Sequence, residues 1–537
     1  MKKNFGNVLF IFLSLLAFIS CGQKNTPVIN GIKTGTLHFG NQTEPEDLDP
    51  HIVTGVQEFH IIQSLLEGLV IPDPVDLHPI AGAASSWEMS EDKMNWTFHL
   101  RSNGRWSNGD KIKASDFLFS FKRILSPALA AEYAYMLYCI ENAEDYHKSK
   151  INDFSMVGVK APDDSTLVIR LGKPTPYFLS LIMHHSWFPV HPPTILKHGN
   201  IDTRGTKWTR AGNFVGNGQF TLTTWQINKV ITVKKNEHYW DASSVSLNEI
   251  NFYPIENTLT EERAFRTGQL HITTWLPPQK IDWYKANKPD VLRNDPYLGT
   301  YYYLINVNRK PLDNKKIRKA LSLSINRDEL VKHVTRGGQI PAGCFTPYNT
   351  AGYNFDTLLR FDPLEAKKLL GEAGFDEKNP FPSISLLYNT SELHHTIAQA
   401  IQQMWKEHLG INITLVNQEW KVYLSSTHNK DYDVARMGWI SDYNDPNSFL
   451  DLWITDGGNN RTGWSNPAYD SLIDAASRES DQAIRYEYLK NAETILLDEL
   501  PIIPIYFYTN VYLLHPSVKG WYPNILNIHN YKFVHLE

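Results

Sequence analysis

The residues with most scope for chemistry in this 537-residue chain lie between Asp431 and Pro446, a stretch reading Asp-Tyr-Asp-Val-Ala-Arg-Met-Gly-Trp-Ile-Ser-Asp-Tyr-Asn-Asp-Pro. Asp442 stands just past Trp439. A carboxylate beside aromatic surface is a receptor for a small cation, through charge-assisted hydrogen bonds worth roughly 1.5–3 kcal/mol net. The spacing alone also allows a plainer reading, in which Asp442 only caps a turn. Other chemistries have less to stand on. Gly463-Trp464-Ser465-Asn466-Pro467 misses a hydrolase nucleophile elbow, because Pro467 stands where glycine is needed. There is no His-Glu-x-x-His zinc motif and no P-loop lysine motif. Val215-Gly216-Asn217-Gly218 has Thr221 in place of a nucleotide loop's third glycine and runs into a strand. The adjacent histidines His184-His185 and His394-His395 are a weak basis for a chelate. No catalytic residue, metal or cofactor is expected.

These side chains must be positioned by strands and turns. Tyr432 to Ile440 has strand character, with Ala435, Met437 and Trp439 on one face and Gly438 where another backbone can come close. Ser441, Asp442, Asn444, Asp445 and Pro446 form a turn. Upstream, Ser383 to Tyr388 is a strand. Leu393 to Leu409 is a helix with Leu393, Ile397, Ile401 and Trp405 at spacing of four, ended by Gly410, and Ile411, Ile413 and Leu415 then alternate as a strand. This alternation implies parallel pairing, with ligands met at the strands' carboxyl ends. Asn389 and Asp442 both fall just after strands. Asn389-Thr390-Ser391 precedes a helix whose free N–H groups favour an anion, and His394 lies in its first turn. Tyr301 to Val307 is a strand and Leu312 to Leu323 a helix with Asp313 near its start. Asp362-Pro363-Leu364-Glu365 is a capping box, with Gly374 as the stop. Earlier in the chain, Gly35 to Gly40 and Trp96 to Arg101 read as strands, Ala114 to Leu125 as a helix with Asp116 near its start, and Thr221 to Val233 as an alternating stretch.

Composition bounds the whole. The length exceeds one core, so two or three domains are expected. A net charge of −5 without a basic block argues against nucleic acid as a partner. Lys2 and Lys3 followed by the apolar run Val8 to Ile19 read as an export signal, too short for the roughly 20 residues that span a bilayer. Phe18-Ile19-Ser20-Cys21 resembles a lipoprotein cleavage site, with Gly22 to Thr26 as a polar tether. Lipidation of Cys21 would remove Lys2 and Lys3 and take the charge from −5 to −7. Cys139 and Cys344 lack metal-ligand spacing and read as buried thiols.

The stretch around Asp442 resembles the peptide-clamping segment of bacterial oligopeptide-binding proteins, the extracytoplasmic receptors of oligopeptide ABC transporters. Leu48-Asp49-Pro50-His51, Trp96 to Arg101, Trp106-Ser107-Asn108-Gly109, Asn217-Gly218, Asp295-Pro296-Tyr297, Tyr301-Tyr302-Tyr303, Leu387 to Ser391 and Asn417 to Trp420 resemble family signatures in the same order. The resemblance implies a mixed α/β, two-lobed, periplasmic-binding-protein-like fold of class II with an extra third domain. It places domain I at 36–67, 193–298 and 505–537, domain II at 68–192 and domain III at 299–504, behind a signal peptide at 1–20 and a tether at 21–35. It implies that Asp442 anchors a peptide's α-amino group and that His394 and Arg436 meet the carboxylates of peptides of different lengths. Backbone at Gly438 to Ile440 and, from the opposite side, at Gly55 to Val56 would extend as sheet beside the ligand. Tyr133, Trp420 and Trp439 would line side-chain pockets. The implied partners are short peptides, a permease with its ATPase, and the membrane through the lipid, with the receptor a monomer. The chain departs from its relatives at Thr54, where a Glu is frequent. Thr427 and Thr335 stand for basic residues, though Arg336 adjoins the latter. Gly299 and Ile440 occupy positions where relatives carry a disulfide. Murein-peptide, dipeptide, nickel or haem binding is the alternative within the family, and an exported hydrolase the alternative outside it.

Overall fold

The computed structural model describes residues 25–537. Cys21 and the export segment lie outside the described residues. The expected tether through residue 35 is instead helical from Pro27. Helix α1 (Pro27–Thr34) is capped by Thr26, whose hydroxyl accepts from Ile29 N–H at 3.3 Å, and Val28 N–H donates to Gly268 O at 3.0 Å. Buried Val28 and Gly31 hold this helix on the first lobe.

The first lobe contains strand β1 (Thr36–Gly40) and helix α2 (Val56–Leu65). The chain then leaves for a separate four-stranded sheet made of β2 (Ala84–Met89), β3 (Asn95–Leu100), β4 (Val159–Lys160) and β5 (Thr166–Arg170), in the order β2-β3-β5-β4. Helix α3 (Ala114–Ile124) packs with it. Asp116 near its start accepts from Lys113 N–H and Trp106 Nε1, both at 3.0 Å. Back in the first lobe, the alternating stretch at Thr221 to Val233 is two strands, β6 (Phe220–Gln226) and β7 (Val230–Lys235). They reverse at Asn228, whose φ is +55°. With β8 (Glu249–Tyr253) they complete the sheet β1-β8-β7-β6, in which β1 and β8 are parallel.

Strand β9 (Leu292–Ile305) is much longer than the expected Tyr301 to Val307. It pairs antiparallel with the last long strand of the chain, from Leu292 opposite Leu513 to Leu304 opposite Ile502. The near ends pack with first-lobe residues such as Phe265 and Ile281, and the far ends with second-lobe residues such as Leu321 and Ile401. The expected domain boundaries at 298/299 and 504/505 therefore fall inside continuous strands. The register breaks between Pro296, which still pairs with Thr509, and Thr300, just where pairing with the strand on the other side begins at Gly299.

The second lobe continues with α4 (Lys315–Leu323), which starts later than Leu312 because the Asn314 side chain caps it. Strand β10 (Ile340–Pro341) follows, then α5 (Pro363–Glu372), where Asp362 accepts from Glu365 N–H at 3.1 Å. Next come β11 (Ile384–Asn389), α6 (Glu392–Leu409), β12 (Ile413–Gln418), α7 (Trp420–His428) and β13 (Val434–Ile440). Strand β14 (Ile502–Leu513) closes the sheet in the order β10-β14-β9-β13-β11-β12. β11 is parallel to both β12 and β13, as the strand–helix alternation implies. Gly410 ends α6 at a φ of +71°, and Trp405 on its inner face donates Nε1–H to Leu321 O at 3.0 Å. Gly299 and Ile440 are cross-strand neighbours, and Cys139 and Cys344 are buried free thiols.

One ion pair ties the extra sheet to the first lobe. Arg123 of α3 meets Asp49 through Nη1–Oδ1 at 2.9 Å and Nη2–Oδ2 at 2.5 Å, with both side chains out of water. Arg123 Nη1 also donates to His51 Nδ1 at 3.0 Å. Burial and the adjacent Arg123 hold His51 near pKa 3, so it stays a neutral acceptor. Asp49→Ala would leave a guanidinium buried without its acid, at a cost of about 3–5 kcal/mol. A markedly lowered first thermal unfolding transition is the expected result, and an unchanged one would refute this role.

Candidate ligand-binding cleft

Strand β13 carries the site. On one edge it pairs with β9 from Val434 through Ile440. On the other it pairs with β11 only at Val434 and Ala435. No described strand covers the outer edge from Arg436 to Ile440, which leaves backbone donors and acceptors able to take an added strand. Gly438 allows close approach here, since a Cβ would stand 2.5 Å from the Tyr508 hydroxyl and force that side chain to shift.

The turn after β13 fixes Asp442. Ser441 N–H donates to Leu298 O at 2.8 Å, and Asp442 N–H to Ser448 Oγ at 3.2 Å. Asp445 accepts from Asn447 N–H at 2.9 Å and from Arg485 at 2.9 and 2.6 Å. The capping is therefore done by Asp445, and the Asp442 carboxylate turns toward the other lobe. Its Oδ1 accepts from Tyr133 OH at 3.4 Å and lies 3.6 Å from His184 Nε2, while Oδ2 is buried without a partner. Burial pushes the Asp442 carboxyl up to about 7, against hydrogen bonds from Tyr133 and Tyr135. His184 supplies no countercharge. Its Nδ1 faces Ser186, and burial beside His185 holds its pKa well below the ordinary value. Asp442 thus has donors but no cation.

The converse holds at Arg436. Nη2 donates to Tyr508 OH at 2.9 Å and Nη1 to Asn389 Oδ1 at 3.3 Å, and the guanidinium lies 4.7 Å over the Tyr301 ring. Nε is buried without a partner, and the groups that act on this arginine are the tyrosines Tyr508, Tyr301, Tyr423 and Tyr506, with no carboxylate paired to it among the described residues. His394, in the first turn of α6, sits with Nδ1 3.5 Å from Tyr301 OH. Burial and then Arg436 keep it well below its usual pKa, so it offers a neutral N–H rather than a charge. Trp439 is half-buried with Nε1 unpartnered, and Trp420, which opens α7, stacks on Tyr423. The Tyr423 hydroxyl donates to Arg436 O.

Gly55 and Val56 differ from expectation. No strand forms there: Gly55 is the extended N-cap of α2, and Val56 is its first residue. The helix wins because Val56 begins a run whose buried face includes Ile61, Ile62 and Leu65. The link to the site is indirect, through Phe59 against His185 and His185 against Tyr133. Sequence reasoning missed Tyr135, Tyr508 and the place of His184. The alternating Tyr506 and Tyr508 in β14 were the available signal for one of them. The histidine pairs do not chelate: His185 Nδ1 faces Pro50 O at 2.7 Å, and His395 pairs with Tyr388 OH at 2.6 Å.

The cleft is shut. Tyr177 of the extra domain stacks on Tyr443 with ring centres 5.1 Å apart and lies under Arg485, and Lys173 Nζ donates to Ser477 Oγ at 2.6 Å.

Residues 78–461 match the family profile of bacterial extracellular solute-binding proteins, family 5, in its middle region. The chain belongs to that family. It is 39% identical to the periplasmic oligopeptide-binding protein OppA of Salmonella typhimurium, over 90% of this chain and 89% of that protein. Haemophilus influenzae OppA in complex with RPPGFSPFR superposes with a TM-score of 0.87 at 35% identity, covering 94% of this chain and 99% of that one. The unliganded open form of MppA, a periplasmic murein tripeptide binding protein, reaches only 0.68 at 34% identity over 94% and 98% of the two chains. The lobes of this family member are arranged as in the complex.

Closing the cleft on a bare Asp442 raises that carboxyl's pKa, so the empty closed state is favoured when the group is protonated and penalised as pH rises through about 7. For ligand-stripped protein, small-angle scattering should show a more compact average at pH 5 than at pH 8. Asp442→Asn should flatten that trend, and an unchanged trend in this variant would sink the assignment.

Proposed function

We propose that this protein is an extracytoplasmic receptor that captures short peptides between its lobes and hands them to an ABC transporter permease for import. The observation that carries this reading is the pairing of two deficits on one strand. Asp442 lacks a cation and Arg436 lacks an anion, and they stand six residues apart, on and just past β13. A peptide supplies both missing charges and, between them, backbone groups for the open edge of β13. Asp442 takes the ammonium, and Arg436 takes the carboxylate, with His394 as a neutral donor for a ligand of another length. Gly438 to Ile440 supply the backbone edge, Asn389 orients Arg436, and Tyr133, Trp420 and Trp439 line space for side chains. Gly55 and Val56 contribute from the N-terminus of α2 rather than as a strand. Family membership and the peptide held by a relative of the same shape support the reading. The proposed role is binding rather than catalysis, which membership of a solute-binding family supports; Ser465 of the near-miss elbow has the Thr455 hydroxyl, not a histidine base, beside it at 3.0 Å. The three-domain division given by the sequence is kept, with β9 and β14 shared between domains I and III.

We further propose export and anchoring through lipid on Cys21, which keeps a monomeric receptor beside its permease in the cell envelope. Cys21→Ser should abolish palmitate labelling and release the protein from membranes, and retention of both properties would refute the anchor.

Calorimetry on ligand-stripped protein tests the capture. Asp442→Ala should weaken binding of unblocked tri- and tetrapeptides by about 100-fold or more, the order expected when one member of a buried charge pair is removed. Wild type should bind N-acetylated peptides with a similar loss. Equal affinity for acetylated and free peptides would overturn the proposal.

A further inference from the structure

Among the described residues four arginines are buried, and each is held by several hydrogen bonds from within the fold, though Arg123 and Arg485 keep an unpartnered Nε. Arg123 and Arg485 hold Asp49 and Asp445 through paired hydrogen bonds. Arg318 donates to the carbonyls of Leu312, Asp313 and Glu499, and Arg327 to those of Ser322, Ile325 and Pro504. Arg461 is treated differently. Its side chain is only 15% exposed, yet it makes a single side-chain hydrogen bond, from Nη1 to Thr427 Oγ1 at 3.0 Å. The nearest carboxylate is Glu132, 3.8 Å from Nη2 and itself 53% exposed. A pair that loose and that wet contributes little. A guanidinium carries five N–H donors in a fork that matches a carboxylate, and most of these have no hydrogen-bond partner in the protein and stay open to water or a ligand.

The location of this cation gives it meaning. Thr427 lies one helical turn beyond Tyr423, whose hydroxyl donates to Arg436 O. Glu132 belongs to the opposing domain and immediately precedes Tyr133, which reaches Asp442. The charge of Arg461 acts on the hydroxyls of Tyr133, Tyr302 and Tyr423. It therefore stands where the wall carrying Arg436 meets the wall carrying Tyr133. Glu132 occupies its open side as a replaceable, solvent-facing acid.

We propose that Arg461 is a specificity-determining residue that receives a second carboxylate of the bound peptide, displacing Glu132 from the guanidinium. The carboxylate is either an acidic side chain or the terminus of a ligand too short to reach Arg436. The proposal rests on the peptide-capture reading above, and the experiment separates the two.

Calorimetry compares wild type, Arg461→Gln and Glu132→Gln, all stripped of ligand, against Ala-Ala-Ala, its single Glu and Gln substitutions at each position, and Ala-Ala. If a side chain is received, wild type favours Glu over Gln at one position by about tenfold. Arg461→Gln erases that ratio while keeping affinity for Ala-Ala-Ala within about threefold. If a terminus is received, Arg461→Gln loses about tenfold on Ala-Ala alone. In either case Glu132→Gln strengthens the affected ligand, and this exposed substitution carries the test should Arg461→Gln fail to fold. Absence of any peptide binding by wild type would overturn peptide capture itself. Binding that shows Glu/Gln ratios near one and no selective effect of either variant would overturn the role of Arg461 alone. So would an equal loss on every peptide in Arg461→Gln.

Discussion

The structure depends on a charge that it buries and does not neutralise. Asp442 is carried on a turn locked by the Asp445–Arg485 pair and covered by Tyr133 and His184 from another domain. Hydroxyl and imidazole donors soften its burial, but neither is a cation. Desolvation of an ionised carboxylate is costly unless an opposite charge comes with it. The shut form is therefore conditional on something positive entering, and the geometry makes that condition chemical rather than steric. Arg436 imposes the mirror condition from its tyrosine-lined position.

Between these two charges the contacts that can be made are generic. An open strand edge recognises backbone, which is alike in every peptide, and aromatic walls accept varied side chains without demanding a partner for each. Such a division lets affinity rest on termini and main chain while the middle stays permissive. Arg461 interrupts that permissiveness at one point, because an underpaired guanidinium distinguishes acid from amide where an aromatic wall does not.

Local features were legible in the sequence and long-range ones were not. Helix α6 announced its core face through Leu393, Ile397, Ile401 and Trp405 and its end through Gly410, and the parallel arrangement of β11, β12 and β13 followed from strand–helix alternation. Asp442 and Arg436 were legible as residues of one strand and turn, with the resemblance supplying their roles. What closes around them came from hundreds of residues away. Tyr133, Tyr135 and His184 belong to the extra domain, and Tyr508 to the last long strand. Their proximity depends on two lobes meeting, which no local period encodes. The pairing of β9 with β14 is hidden for the same reason, and the sequence marks this strand only from Tyr301, past Pro296 and the register break. Thr427 was read as the loss of a basic residue. The structure brings the Arg461 guanidinium onto its hydroxyl, so a cation returns to that place from a different loop. At Gly55, extended backbone was expected to continue, but the buried face of α2 begins one residue later and takes precedence.

The two long strands that run unbroken through both lobes have a mechanical consequence. Paired side by side, they join the lobes as one two-stranded band, so any change in how the lobes sit must bend that band, and its two register shifts, between Pro296 and Thr300 and between Tyr301 and Tyr302, are where the ladder resists bending least.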